Sequence, residues 1–267
     1  MFARLSEKLP ATVTSYDVWK TLAILLMVVD HIGACFYPDH LWWRVAGRLC
    51  VPIWFFLIGY ARSRDLDPRI IGGVVILTIV QVLAGQGLFP LTILAGFLLI
   101  RGTIDSFMRQ AARSDKDALM AAFVLLMLFI PTNILFEYGT SGYALAVLGW
   151  LDRARQDGMV KGWVVFVATI GALAFFILSQ ALGFEFDMMQ SILMGAGVTG
   201  VTALLMLGFK SYTSSAQSLI NKAIFRVPLQ LCGRWSLEIY VLHLAAFKIV
   251  AAILGIGIFH WLDIKAF

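Results

Sequence analysis

The chain has 267 residues, 60% hydrophobic and only 14% charged, with a formal net charge of +5 and a mean hydropathy of +0.86. A soluble domain is about 45–50% apolar and about 25% charged, so a water-soluble fold of this length could not cover so much apolar surface. Nothing alternates with period two over many segments, as a β-barrel would require, and the basicity suits cytoplasmic loops and anionic headgroups rather than nucleic acid.

The class implied is an all-α polytopic transmembrane helix bundle, read as a single domain over 1–267. The first sixteen residues are polar and lack the apolar core of a cleavable signal. The first apolar run carries Asp17, Lys20, Asp30 and His31, which suits a retained span. Apolar runs follow at 17–37, 45–61, 70–86, 88–101, 118–136, 141–151, 162–182, 188–208 and 237–258, judged against the roughly 20 residues that a spanning helix needs. Within 211–236 the run IFRVPLQLCGR reads as a short re-entrant or interfacial helix. The expectation is nine to ten spanning helices.

Basic residues alternate between successive loops. Arg4 and Lys8 precede the first span. Arg62, Arg64 and Arg69 follow the second, Arg101, Arg109, Arg113 and Lys116 the fourth, Arg153, Arg155 and Lys161 the sixth, and Lys210, Lys222 and Arg226 the eighth. The intervening loops carry Arg44, Glu137, Glu185 and Asp187, with Lys265 beside Asp263 in the tail. The excess of Lys and Arg on alternate loops predicts a cytoplasmic N-terminus and an outer C-terminus. The longest hydrophilic loop, 102–117, is too short to fold alone, so any chemistry belongs inside the bundle or at its mouths.

Side chains three or four apart share a helix face. On the first span Lys20, Ile24, Met27 and His31 form one stripe, with Asp30 on the neighbouring face. On the second, Arg48, Pro52, Phe55, Gly59 and Arg62 form another. Two antiparallel helices with a short connection would bring Asp30, His31 and Arg48 together near the outer face. Asp17, Lys20, Arg62 and Arg64 would gather near the inner face, about 20 Å away for 14 residues at about 1.5 Å each. The outer group contains a potential general base in His31, a carboxylate to orient it in Asp30, and a fixed cation for developing negative charge in Arg48. A buried Asp30–Arg48 pair that only fixes helix register is the competing reading. The arginines of the inner group suit phosphates, or serve topology alone.

Further along, Glu137-Tyr138-Gly139-Thr140-Ser141-Gly142 is a turn on the side of His31. Glu137 is placed there to bind a cationic acceptor or to hold Arg48, or is an incidental carboxylate in a polar turn. On the last span Ser236, Tyr240, His243 and Phe247 form a stripe, Arg234 and Glu238 are i,i+4 neighbours, and Lys248 lies deeper. His243 reads first as a packing histidine. Cys35, Cys50 and Cys232 have no metal-ligand or CxxC spacing. They read as free thiols, with a Cys35–Cys50 bridge as the alternative.

The run Lys20…Met27-Val-Val-Asp30-His31-Ile32-Gly33, followed by Arg44…Gly47-Arg48…Pro52-Ile-Trp-Phe-Phe-Leu-Ile-Gly59, resembles the TraX family of bacterial membrane proteins, and Glu137-Tyr138-Gly139…Gly142 fits its third recurrent stretch. TraX itself is associated with acetylation of the pilin N-terminus. The ending Gly233-Arg-Trp-Ser236-Leu-Glu-Ile-Tyr240-Val-Leu-His243 is similar to the last helix of the wider transmembrane acyltransferase group, which includes sugar O-acetyltransferases and the lysosomal heparan glucosamine N-acetyltransferase. The resemblance covers 17–62, 137–142 and 233–243.

What it implies is an acyl-CoA-dependent acetyltransferase of the bacterial inner membrane. Cytosolic acetyl-CoA would give its acyl group to an amine or hydroxyl acceptor at the outer face, with His31 central, Asp30 and Arg48 beside it, and no metal. The expected donor contacts are Arg62, Arg64, Arg69, Lys20, Tyr240 and His243, and the expected acceptor contacts Glu137 and Tyr138. Sugar acetyltransferases often carry a cytoplasmic R-x-x-R, from which Arg62-Ser-Arg64 departs. Two rival readings are a proton-coupled transporter relaying through Asp30, His31, Glu238 and His243, and a non-enzymatic assembly or lipid-binding protein.

Overall fold

A computed structural model describes residues 12–208 and 223–263. The basic positions Arg4, Lys8, Lys210, Lys222 and Lys265 lie outside the described residues, as do residues 211–222 ahead of the run read as a short re-entrant or interfacial helix. Among the described residues all regular structure is helical: α1 Ser15–Phe36, α2 Trp42–Gly47, α3 Cys50–Tyr60, α4 Pro68–Leu83, α5 Ile93–Ala111, α6 Asp115–Met127, α7 Phe129–Leu135, α8 Gly139–Gln156, α9 Gly162–Gly183, α10 Met188–Gly208, α11 Ala223–Arg234 and α12 Ser236–Leu254. Helices α1, α9, α10 and α12 are each long and apolar enough to cross a membrane. The pair α6 and α7, bent by 52°, makes a fifth candidate. Large apolar side chains such as Phe166, Ile170 and Leu182 on α9 and Ile192 and Leu204 on α10 face outward, a surface suited to lipid rather than water. The chain is an all-helical membrane protein.

Helix α1 starts where its sequence directs. Thr14 accepts from the backbone N–H of Asp17 at 3.3 Å, and the Asp17 carboxylate accepts from the Thr14 N–H at 2.9 Å. This reciprocal box satisfies N-terminal donors and puts an acid at the positive end of the helix. Asp17 is therefore occupied by the cap and is not available to the inner charge group.

The second apolar stretch is not one helix. It breaks at Arg48 and Leu49 into α2 and α3. Ten of the eleven residues of α3 are buried, so this helix has no solvent face and is the axis around which the others pack. Its closest neighbour is α8. The two backbones meet at glycines: a side chain at Gly59 would strike the Ala146 carbonyl, and one at Gly149 the Phe56 carbonyl.

The run read as a span over 88–101 begins as helix α5 at Ile93, not at residue 88. Pro90 disfavours helix at the residue before it, and the segment pairs elsewhere: Leu91 N–H donates to the Leu135 carbonyl at 2.8 Å and Glu137 N–H to the Leu91 carbonyl at 2.9 Å. The same helix runs past Arg101 to Ala111 through much of the stretch read as a hydrophilic loop. Ile100, Ile104 and Met108, four apart, bury one face, so the charged residues between them ride on an amphipathic helix. Likewise α8 extends beyond 141–151 at both ends. Cys35, Cys50 and Cys232 are free thiols.

Candidate active site

One turn of α1 supplies two adjacent functional groups that point to different neighbours. Consecutive helical residues are about 100° apart, which turns Asp30 and His31 toward different helices. Asp30 faces α2 and the α2–α3 break. Its Oδ2 accepts from Arg48 Nη2 at 2.6 Å and from Arg44 Nη1 at 2.7 Å. The Arg48 side chain is 3% exposed, that of Arg44 17%, and both guanidinium groups lie over the Phe184 ring, at 4.9 and 5.0 Å. A side chain at Gly47 would collide with the Asp30 carboxylate, so the glycine lets α2 approach.

This corrects the role expected of Asp30. Its carboxylate balances two guanidinium groups and does not hold the His31 ring. The partner of His31 comes from α12: its Nδ1 lies 2.8 Å from His243 Nε2, with the rings stacked at 5.0 Å. His243 Nδ1 in turn lies 2.6 Å from the Ile239 carbonyl oxygen. Tyr240, one residue later on the same turn, has its ring 5.9 Å from that of His31.

A cavity of about 280 Å³ connects these groups to the surface. Its closed end is lined by Asp30, His31, Tyr138 and Tyr240, its waist by Met27, Trp54, Leu57 and Phe97, and its open end by Lys20, Arg69, Arg101, Arg234, Asp67 and Glu238. Three polar atoms on lining residues are buried without a hydrogen-bond partner: Asp30 Oδ1, Trp54 Nε1 and Tyr240 Oη. Buried polar groups are almost always paired, so orphans on three helices that line one cavity suit a polar ligand or water inside.

Tyr138 shapes the closed end from the other side. It caps the N-terminus of α8 with φ 68°, ψ −12°, in the left-handed region that side chains seldom adopt and that clusters at functional sites. Its hydroxyl oxygen accepts from Arg48 Nη1 at 2.6 Å, which leaves its own proton for another acceptor. Phe55 packs edge-on against its ring at 5.8 Å. Arg48 also donates to Gln180 at 3.3 Å. It stands behind the cavity wall rather than in it, and reaches the cavity through Tyr138.

The expected donor contacts divide. Lys20, Arg69 and Tyr240 line the cavity. Arg62 and Arg64 do not. Arg62 pairs with Asp157 at 2.9 Å on the surface. Arg64 pairs with Asp105 at 2.9 Å and donates to the carbonyls of Ile58 and Gly59. Helix α3 ends at Tyr60, and a guanidinium just beyond a helix end satisfies the last free carbonyls; that demand turns Arg64 away from the cavity. Arg69 is exposed at the rim and donates to Asp67 at 2.8 Å and Glu238 at 3.4 Å. These contacts, the Asp67 hydrogen bonds first, raise the pKa of Arg69 and depress that of Asp67. His243 acts on His31 rather than on the cavity.

Glu137 does not reach Arg48. Its Oε2 accepts from the Ile93 N–H at 2.9 Å, at the N-terminus of α5, where an acid is favoured. It borders a separate small cavity of about 30 Å³. Glu238 takes Arg69 in place of Arg234, which ends α11. Lys248 finds Gln81 Oε1 at 2.9 Å. Since Asp30 and Glu238 both engage arginines, the four groups of the transporter reading form no continuous relay; only His31 and His243 touch. Arg44, Arg101, Arg234, Trp54 and Gln180 were not expected at the site. The one legible signal was the i,i+4 spacing of Arg44 and Arg48, which puts both on one face toward Asp30.

A family model described as "TraX protein" matches residues 15–251 of this chain. An uncharacterized protein of Rickettsia prowazekii (strain Madrid E) is 27% identical over 197 residues, which cover 73% of this chain and 79% of that protein. No solved structure matches.

Proposed function

Because the chain belongs to the TraX family, we propose that it is a membrane acetyltransferase. It moves an acetyl group from acetyl-CoA to an amine or hydroxyl acceptor, with His31 as general base. The observation that carries this reading is the cavity, which joins a basic open end, past an apolar waist that holds the Trp54 indole N–H, to a histidine and two tyrosine hydroxyls at its closed end. From Lys20 to His31 the path along α1 is eleven residues, about 16 Å at the helical rise. That is the form a site needs if it holds a polyanion at the rim and an extended neutral arm beyond it.

The roles follow from position. Lys20, Arg69, Arg101 and Arg234 receive the nucleotide phosphates, Arg groups offering paired donors. The apolar waist of Met27, Trp54, Leu57 and Phe97 accommodates the arm and excludes water, which strengthens polar interactions beyond it. At the closed end His31 takes the proton of the attacking N–H or O–H as the new bond forms to the thioester carbon. The oxygen of the tetrahedral intermediate is met by the hydroxyl of Tyr138, polarised by Arg48, and by that of Tyr240. Collapse breaks the C–S bond, and the proton held by His31 passes to the sulfur. Products are the acetylated acceptor and free CoA thiol.

The orientation that accompanies this reading has the N-terminus and the basic rim in the cytoplasm of a bacterium, the protein in its inner membrane with nine to ten membrane segments, and the acceptor arriving from the outer side. The test is purified protein in lipid discs with acetyl-CoA and a panel of amines and alcohols, with released thiol measured. Loss of turnover in His31→Ala with the fold retained is expected. Undiminished thiol release by that variant would refute the role of His31.

A further inference from the structure

We infer that His243 is a positioning residue that fixes His31 in one tautomer, with the proton on Nδ1 and the lone pair on Nε2; this rests on the acetyltransferase reading above. The argument is one of donors and acceptors. A backbone carbonyl can only accept. His243 Nδ1 lies 2.6 Å from the Ile239 carbonyl oxygen, so that nitrogen carries a proton. In a neutral imidazole the other nitrogen is then an acceptor, which makes His243 Nε2 a lone pair. His31 Nδ1 lies 2.8 Å from it and must therefore donate. The remaining nitrogen of neutral His31, Nε2, is left unprotonated, on a ring that lines the cavity.

The chain Ile239 carbonyl, His243, His31 thus does what a carboxylate does for a catalytic histidine elsewhere: it holds the ring and selects the nitrogen that acts as base. It does so without charge. Asp30, next to His31 in sequence, is committed to Arg44 and Arg48, so without His243 no carboxylate stands in for it. Ring stacking at 5.0 Å and the edge contact of His243 with Phe247 at 5.5 Å hold the second ring in line. When His31 takes a proton on Nε2 it becomes a cation whose Nδ1–H still donates to His243, so the pair needs no rearrangement during the reaction.

The experiment compares wild type with His243→Phe, which keeps an aromatic ring but removes the acceptor, and with His243→Gln, whose side-chain oxygen can again accept from His31. Imidazole ¹⁵N spectra of His-labelled protein, assigned by loss of the His31 signals in His31→Ala, report which nitrogen carries the proton. Wild type is expected to show His31 protonated on Nδ1. The Phe variant should show a mixture of tautomers and a kcat lowered by about 10–100-fold, the range seen when the hydrogen-bond partner behind a metal-ligating histidine is removed. KM for acetyl-CoA should be unchanged, and Gln should restore much of both signals. A wild-type His31 protonated on Nε2, or a folded Phe variant with wild-type spectrum and kcat, overturns the inference. Because the spectra need no turnover, they decide the tautomer even where wild type releases no thiol; that second result would instead refute the acetyltransferase reading.

Discussion

Replacing Asp30 by Asn should cost stability rather than chemistry. In the folded chain one carboxylate oxygen accepts from two guanidinium groups, at 2.6 and 2.7 Å, and Asp30 itself is 4% exposed. The Asn side chain is nearly isosteric but neutral, so two buried cations would be left facing each other with no counter-charge. Breaking a buried pair from one side costs about 3–5 kcal/mol. A unit charge about 4 Å away contributes about 4 kcal/mol at an effective dielectric constant of about 20, which agrees. For a chain of this size about 1 kcal/mol corresponds to about 2–4 °C, so the apparent melting temperature should fall by about 6–20 °C. The assay is a thermal scan of wild type, Asp30→Asn and His31→Ala in the same lipid discs. His31→Ala should melt near wild type while losing turnover, and Asp30→Asn should melt early. An Asp30→Asn protein that melts with wild type but releases no thiol would refute this account, because the carboxylate would then be acting on the reaction and not on Arg44 and Arg48.

Three further outcomes are expected. Tyr138→Phe removes the hydroxyl between Arg48 and the cavity, so kcat should fall by about 10²–10³-fold, with KM for acetyl-CoA little changed; equal kcat would remove Tyr138 from the oxyanion site. At the rim, Arg101→Ala and Arg234→Ala should each raise KM for acetyl-CoA by about tenfold, in line with one charge-assisted hydrogen bond, while Arg62→Ala leaves it alone; the opposite pattern would move the phosphates to the Arg62 surface. Asp105, beyond the apolar part of α5, has its pKa lowered chiefly by the hydrogen bond from Arg64. A depressed carboxylate stabilises the fold above its unfolded value and loses that effect as pH falls through the folded one. The melting temperature of wild type should therefore drop more than that of Asp105→Asn on acidification from about pH 5 to about pH 3, and parallel curves would show that the pair adds nothing.

The all-helical membrane class could be read from composition alone, and the grouping of Asp30, Arg48 and His31 at one end of the first helix from spacing. What could not be read was which group each would face. Sequence adjacency suggested that Asp30 serves His31, but 100° of helix rotation separates them, and the partner of His31 is 212 residues away. Such a contact depends on how α12 packs against α1, which no local pattern records. Arg62 and Arg64 misled for another reason. An arginine after a span looks the same whether it meets a phosphate, a headgroup or the free carbonyls of its own helix end, and the outcome depended on α3 ending at Tyr60. Arg101 was hidden because the stretch around it looked like a polar loop; its amphipathic period becomes visible only once Ile100, Ile104 and Met108 are taken as one face.

The distribution of charge along the cavity bears on mechanism more directly than any single residue. Full charges are found at the two places where they would do least harm to the proposed acyl transfer. At the rim, Arg69, Asp67 and Glu238 are within reach of water, where ions are cheap to keep. At the closed end Asp30 lines the cavity, but it is paired with Arg44 and Arg48 behind it, so the three neutralise one another to within one unit, and Arg48 reaches the cavity through Tyr138. On the acetyltransferase reading, the groups that would meet a thioester beside the paired Asp30 are neutral: an imidazole and two phenols, with an indole at the waist. A neutral ester group entering an apolar waist loses little hydration, whereas an open ion pair there would draw water in and expose the thioester to hydrolysis. On that reading, the surplus positive charge behind Tyr138 would act only as negative charge develops on the carbonyl oxygen, through one hydroxyl. A site so arranged would bind the ground state weakly at its reactive end and interact more strongly with a tetrahedral state, which is the difference that accelerates a reaction.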